Sequence, residues 1–469
     1  MTLVAIVMVA ALVLAACLSR PAPPVPAGLV EAAAGLGDRY FPDDGGAGYD
    51  VQHYAVDLTW DPRARELTGT TTVTAVATQD LDTLHLDLRL PVRGVSIAGT
   101  AVPWSQSDAD LAITLPRRDP AEVALARDGT VELTVAYAGS PEDYPSADAP
   151  SFYRAGDEVL IAGEPHAAAL WFASNDAPRD PATYSFTVHV PKGVEAIGAG
   201  DLAGVDTTDP GHDTWTWRVD DPTVTYATFL AIGQFEVSSG VADGRRYTYA
   251  VSKRLPAPQQ ARAMTWLRGT PAAIRKLERY LGPYPVRSMG GFVPGVPFFW
   301  GGLECLGRPV YHSGLAGRSF LLQHELAHMW VGDTVTLAEW NDIYDNEALA
   351  SYAEWLTSGE NEPAASARRV YQVADPAFWS DKLSDPGVPN LFGRAYDRGP
   401  LSLQALRTRM GDEAFFGFLK AWAQQRGPRS LEDFRQQADD ATPLDLAPFF
   451  ATWLDGTAKP AETAANGLG

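Results

Sequence analysis

The chain has 469 residues, more than one ordinary core organises, so two or more domains are expected. Hydrophobic residues make up 46% and charged residues 20%, the balance of a globular protein, which excludes a disordered or low-complexity chain. The net charge of −21 at pH 7 excludes a nucleic-acid surface, which needs basic patches, and mildly favours cationic partners such as peptide amino termini.

Residues 2–16 are almost wholly apolar and end in Leu14-Ala15-Ala16-Cys17. A short apolar run closed by small residues reads as an export signal, too short to span a bilayer comfortably. Its ending resembles a bacterial lipobox, in which the cysteine becomes the lipid-modified first residue. Residues 1–17 are therefore expected to be a lipoprotein signal peptide with Cys17 as the lipidation site. That places the protein outside the cytoplasm, anchored to the cell membrane. No Lys or Arg precedes the apolar run, so the usual basic segment is missing. Residues 18–48, rich in Pro, Ala and Gly, read as a tether. After Cys17 only Cys305 remains, so the mature chain forms no intrachain disulfide. Cys305 itself reads as a small buried apolar residue.

From 49 to 240 the pattern has period two. Tyr54, Val56, Leu58 and Trp60 alternate with His53, Asp57 and Thr59, and Tyr184, Phe186, Val188 and Val190 repeat the alternation. This predicts an antiparallel all-β N-terminal domain of many strands. Past residue 245 the period lengthens. One helix is expected over 258–281, stopped by Gly282-Pro283-Tyr284-Pro285, and others over 319–332 and 345–358, the latter capped by Asp345 or Asn346. Helices within 401–425 and over 430–440, the last with a Ser430–Asp433 capping box, close a second domain at 241–460. A tail, 461–469, follows.

Residues 324–328 read His-Glu-Leu-Ala-His. His324 and His328, four apart, leave one face of a helix about a turn from each other, a spacing that suits two metal ligands. Glu325 lies beside that face, where its carboxylate reaches a water at the metal without binding the metal itself. Leu321, Leu322, Leu326, Ala327, Met329, Trp330 and also Phe320 make the segment helical and largely buried. A buried helix rarely carries His-Glu-His without a partner. Eighteen residues after His328, Glu347 opens the next helix and supplies a third ligand; three ligands leave a fourth position open, the mark of a catalytic site. Two imidazoles and a carboxylate in an open site suit Zn²⁺ best, one ion per chain. Glu354, seven residues further on the same helix face, is placed to orient a ligand histidine through its second ring nitrogen.

These residues resemble the aminopeptidase N-type zinc metallopeptidases, a family that includes the leukotriene-hydrolase branch and carries HExxH, eighteen residues, then Glu within Asn-Glu-Gly-Phe-Ala. Here the last part reads Asn346-Glu347-Ala348-Leu349-Ala350, and the resemblance extends over most of the chain from about 50 to about 460. It implies a β-saddle N-terminal domain followed by a thermolysin-like α/β catalytic domain, with no sequence left for the long C-terminal helical domain of larger members. It also implies hydrolysis of N-terminal residues from peptides with a free amine, Glu325 being the base.

The resemblance carries three further assignments. The family's oxyanion tyrosine corresponds to Tyr396 in Tyr396-Asp-Arg-Gly-Pro400, where Arg398 and Pro400 replace a lysine and a small residue. The amine-binding glutamate of Gly-x-Met-Glu-Asn corresponds to Glu304 in Gly301-Gly-Leu-Glu-Cys305. A second amine-binding group from the β domain corresponds to Glu164, eight residues before Phe172. Two alternatives remain at this point: a zinc endopeptidase with the same site, and a peptide-binding lipoprotein without turnover.

Overall fold

The computed structural model describes residues 32–119, 121–145 and 149–468; the expected signal peptide, Cys17 and residues 18–31 of the tether lie outside the described residues, while 32–46, expected as tether, is hydrogen-bonded to both halves of the protein. The alternating residues of the N-terminal half form an eight-stranded sheet around the strand Tyr49–Asp61. Tyr54, Val56, Leu58 and Trp60 all face the core, so the period-two reading identifies the buried face correctly. Strand direction is a different matter. Tyr49–Asp61 pairs antiparallel with Glu66–Ala77 but parallel with Ala182–Pro191, in register His53↔Thr183. Alternation reports which face is buried and carries no information on direction, and the long connection between those two strands permits the parallel pairing. A four-stranded sheet carries Glu158–Ile161 at one of its inner positions, and a three-stranded sheet packs alongside.

The second half opens on a five-stranded sheet whose first strand is Phe235–Ala242, so residue 240 falls inside a hairpin shared with Arg245–Ser252. That sheet ends in the short strands Val310–Tyr311 and Gly302–Leu303, the latter running directly into Glu304. The single helix expected over 258–281 is two, Ala257–Leu267 and Thr270–Leu281. Pro271 sits in the first turn of the second, where its missing N–H costs nothing, and Gly269 supplies the joint.

The helix bearing the histidines, Ser319–Ala327, is shorter than expected and ends with His328 at its cap, before Gly332 turns the chain at φ 120. The next helix, Tyr344–Ser358, receives no side-chain cap from Asp345 or Asn346. A preceding 3-10 turn, Trp340–Asp342, holds the capping box instead, built from Glu339 and Asp342. The Ser430–Asp433 box forms on Leu431–Asp440 as expected. One buried hydrophobic cluster spans both halves, from Tyr49 to Leu454, so the two domains share a continuous core. Among the described residues no helix is long and apolar enough to cross a membrane.

Candidate active site

The two helices that carry the histidines and Glu347 pack against each other and bring three ligand atoms to one point. His324 Nε2 lies 3.2 Å from His328 Nε2 and 3.3 Å from Glu347 Oε2, and His328 Nε2 lies 3.5 Å from that same oxygen. A tetrahedral zinc bound at about 2.0–2.1 Å has ligand–ligand edges of roughly 3.3–3.4 Å, so the triangle matches one face of such a site. The outer ring nitrogens are held as metal-ligating histidines require. His324 Nδ1 meets Glu354 Oε1 at 2.7 Å, and His328 Nδ1 meets the Val331 carbonyl at 3.0 Å. Each contact leaves Nε2 free to face the metal.

Four buried acids surround this point: Glu164, Glu304, Glu325 and Glu347 are each under 5% exposed. Oxygens of Glu164, Glu304 and Glu347 lie within 4.8 Å of one another, as do ligand atoms of Glu304, Glu325 and His328. One oxygen on each of Glu164 and Glu304 has no hydrogen-bond partner, and Glu347 Oε2 faces only the two imidazole nitrogens. Buried, unpaired acceptors in that number are expensive unless cations join them. Burial pushes Glu325 up to about 8, and burial together with Glu304 pushes Glu164 well above the carboxylate range. Glu347 goes the other way: against the cost of burial, the two imidazoles draw it down to about 2. The donor set therefore fits a divalent metal at the histidines plus a further cation near Glu164 and Glu304.

The residues expected at the metal and at the substrate, His324, Glu325, His328, Glu347, Glu354, Tyr396, Glu304 and Glu164, all line this cavity. Tyr396 is half-buried, its ring stacked 5.8 Å from that of His324. Glu164, which as a turn residue before Pro165 could have been on the surface, is buried and lines the same cavity as His324, His328 and Tyr396. Two details differ from expectation. Phe320 is not buried but 43% exposed at the cavity mouth. Arg398, in place of a lysine, does not reach the cavity; it is fully buried over Trp379 and donates to the carbonyls of Asp381, Trp453 and Gly456. Its neighbour Gly399 lies so close to the Glu347 helix that a Cβ there would stand 2.4 Å from that of Ala348. Cys305 is buried and unpaired, as a packing residue is.

Sequence reasoning missed the residues that join the two domains here. Arg308, 1% exposed, stacks 4.3 Å from the Trp217 ring and donates to the carbonyls of Gly198 and Gly200 on the β domain. Leu306 donates to the Ala227 carbonyl at 2.9 Å. Together they pin the loop after Glu304 against the β domain. Tyr226, also from that domain, accepts from Asn346 Nδ2 at 3.2 Å, next to the ligand Glu347. An arginine among apolar residues was the only available signal for the first, and nothing marked the second.

A larger cavity of about 640 Å³ adjoins the catalytic groups and shares Glu164, Trp300, Gly301 and Tyr396 with them. Its remaining wall includes the side chains of Phe41, Phe299, Leu391 and Phe392.

Comparison with known proteins agrees with this geometry. A family profile described as the Peptidase family M1 domain matches residues 318–453. Aminopeptidase N of Lactobacillus delbrueckii subsp. lactis is 24% identical over 456 residues, covering 89% of this chain and 52% of that protein. Aminopeptidase N of Streptomyces lividans is 26% identical over 317 residues, 61% of this chain and 36% of that protein. The chain thus spans about half the length, or less, of these curated relatives. It resembles the M1 zinc metallopeptidase of Deinococcus radiodurans, with a TM-score of 0.81, 30% identity and coverage of 91% of this chain and 98% of that one. A mutant of the latter was solved with a Tyr-Ser-Ala substrate, TM-score 0.80, 30% identical, over 91% of this chain and 99% of that one.

Proposed function

The chain belongs to the aminopeptidase N-type M1 peptidase family, and on that premise we propose that it is a zinc aminopeptidase that removes N-terminal residues from peptides. The observation that carries this reading is the convergence, in one buried cavity, of a three-ligand triangle with an adjacent base and two further carboxylates, each with an oxygen that has no hydrogen-bond partner. His324, His328 and Glu347 would hold zinc, with Glu354 orienting His324. Bound there, zinc supplies Lewis acidity, polarising the scissile carbonyl and acidifying water.

The protein's own groups do the rest. Glu325 takes a proton from the attacking water as the C–O bond forms and gives it to the leaving amine as the C–N bond breaks, so protons balance over the cycle. Its position beside the ligands, where burial favours the protonated carboxyl and a bound metal would favour the carboxylate, suits a group that must both accept and release a proton. The Tyr396 hydroxyl, beside His324, donates to the developing oxyanion. Glu304 and Glu164 pair with the substrate's α-ammonium, which is what restricts cleavage to the first residue; M1 metallopeptidase mutants similar to this chain were solved bound to L-arginine and to L-tryptophan.

The same geometry locates the side-chain pocket. The α-amine and the carbonyl flank the first residue's Cα, so a cavity lined by both Glu164 and Tyr396 lies along that Cα. Its volume of about 640 Å³ and the rings of Phe41, Phe299, Trp300 and Phe392 on its wall suit large first residues. Export and anchoring through a lipid at Cys17 are supported by the Leu14-Ala15-Ala16-Cys17 ending and the tether-like composition that follows.

The test is hydrolysis of amino-acid aminomethylcoumarins beside their N-acetylated twins, with and without a zinc chelator. Cleavage of the free-amine set alone, lost on chelation, is the expected result. Cleavage of the blocked set would make the protein an endopeptidase, and turnover of neither would leave a binding protein.

A further inference from the structure

The side-chain pocket has a wall that comes from neither domain. Residues 32–46 run ahead of the first β strand and cross to the catalytic domain, making contacts that fix each part of the segment in turn. Asp38, 3% exposed, accepts the backbone N–H groups of Tyr40 at 2.8 Å and Phe41 at 3.0 Å, folding the segment into a turn, and its other oxygen accepts the N–H of Trp340 at 2.8 Å. The Tyr40 hydroxyl donates to Asp385 at 2.6 Å and accepts the N–H of Gly387 at 2.8 Å, while Arg39 pairs with Asp385 at 3.1 Å. Asp44 meets His166 at 2.9 Å, two residues beyond Glu164.

Between these anchors stands Phe41. Its ring meets that of His166 edge-on at 5.1 Å and that of Trp340 at 6.3 Å, and it lines the 640 Å³ cavity together with Trp300 and Phe299. Beneath it, Tyr40, Phe41 and Phe392 cover a small separate core formed by Val224, Tyr226 and Ala227 of the β domain with Leu337, Trp340, Ile343 and Leu391. The strap thus touches two walls of the pocket, the loop after Glu164 and the loop 385–392 before Tyr396, and is also tied to the turn leading into the Glu347 helix. An exposed aromatic would gain nothing from being held this firmly over a polar surface; here it completes an apolar wall.

We propose that the segment 32–46 is part of the substrate-recognition machinery, and that Phe41 determines specificity by forming the wall against which a large first residue packs. The inference rests on the aminopeptidase reading for what the pocket binds, and on contacts of this chain for who forms it. A phenylalanine that covers one side of an apolar subsite contributes a part of the roughly 10–200-fold discrimination that pocket contacts supply.

The test measures two quantities on zinc-loaded full-length protein: kcat/KM for tryptophan- and alanine-aminomethylcoumarin, and the affinities of free L-tryptophan and L-alanine by calorimetry. In Phe41→Ala the tryptophan-to-alanine ratio is expected to fall about five- to tenfold in both, with the kinetic loss mainly in KM. Phe41→Leu, which keeps an apolar side chain in place, should restore at least half of the ratio. Arg435→Ala removes the ion pair with Asp455, away from the cavity lining, and should lower the melting temperature while the ratio stays as in the wild type. A ratio that shifts less than twofold in Phe41→Ala, or that shifts equally in Arg435→Ala, overturns the proposal and makes the strap a structural clasp. Wild-type protein that hydrolyses no free-amine substrate overturns the aminopeptidase reading instead, and the binding ratio still decides the role of Phe41.

Discussion

The two halves of this site are built in opposite ways. The metal half, His324, Glu325, His328, Glu347 and Glu354, comes from 31 consecutive residues on two packed helices, and its geometry follows from helical spacing plus one helix–helix contact. The recognition half, Glu164, Glu304, Tyr396 and Phe41, comes from four segments spread over most of the chain, and it exists only because the domains are joined. Arg308 and Leu306 make that joint on one side, and the strap makes it on the other. The contrast teaches that a local motif can place a catalyst rigidly, whereas selectivity for one end of a substrate needs groups converging from several directions.

Substitutions can separate the halves. The largest effect is expected from Glu325→Gln, which removes the base but no ligand: kcat should fall about 10²–10⁴-fold with zinc content unchanged by metal analysis. Turnover near the wild-type level would reassign the base. Next comes the recognition half. Glu304→Ala should lower kcat/KM on free-amine substrates about 10²–10³-fold, the scale of losing one partner of a buried charge pair, while zinc stays bound. An accompanying loss of zinc would show that the halves are not separable and that Glu304 supports the ligands. The smallest effect is expected at the edge of the metal half. Glu354→Ala leaves all three ligands but frees the His324 ring, and should weaken zinc binding about 10–100-fold in a competition titration against a chelator.

Legibility in the sequence follows the same division. The HELAH pentapeptide and Glu347 were readable because an i, i+4 pair has only one helical outcome, and the spacing of Glu354 sufficed to put it on the ligand helix facing His324. Glu304, Tyr396 and Glu164 were reachable only through family resemblance, since no local pattern says that residue 164 will stand beside residue 304. Boundaries failed where a competing local interaction won. Glu339 and Asp342 took the capping role expected of Asp345 or Asn346, and Gly269 with Pro271 split one helix into two. The parallel pairing of Tyr49–Asp61 with Ala182–Pro191 was invisible because alternation encodes a face and not a direction.

By itself, then, the sequence determined the metal chemistry, the β-then-helical order and the buried faces of the strands, because each rests on interactions between residues a few positions apart. Tertiary structure alone decided what surrounds the metal. The buried Arg308 clamp, the approach of Tyr226 to Asn346, the exposure of Phe320 and the placement of Phe41 across the pocket all depend on contacts between residues tens to hundreds of positions apart. Such contacts form only when a shared core fixes the orientation of two domains, and no periodicity along the chain records that orientation.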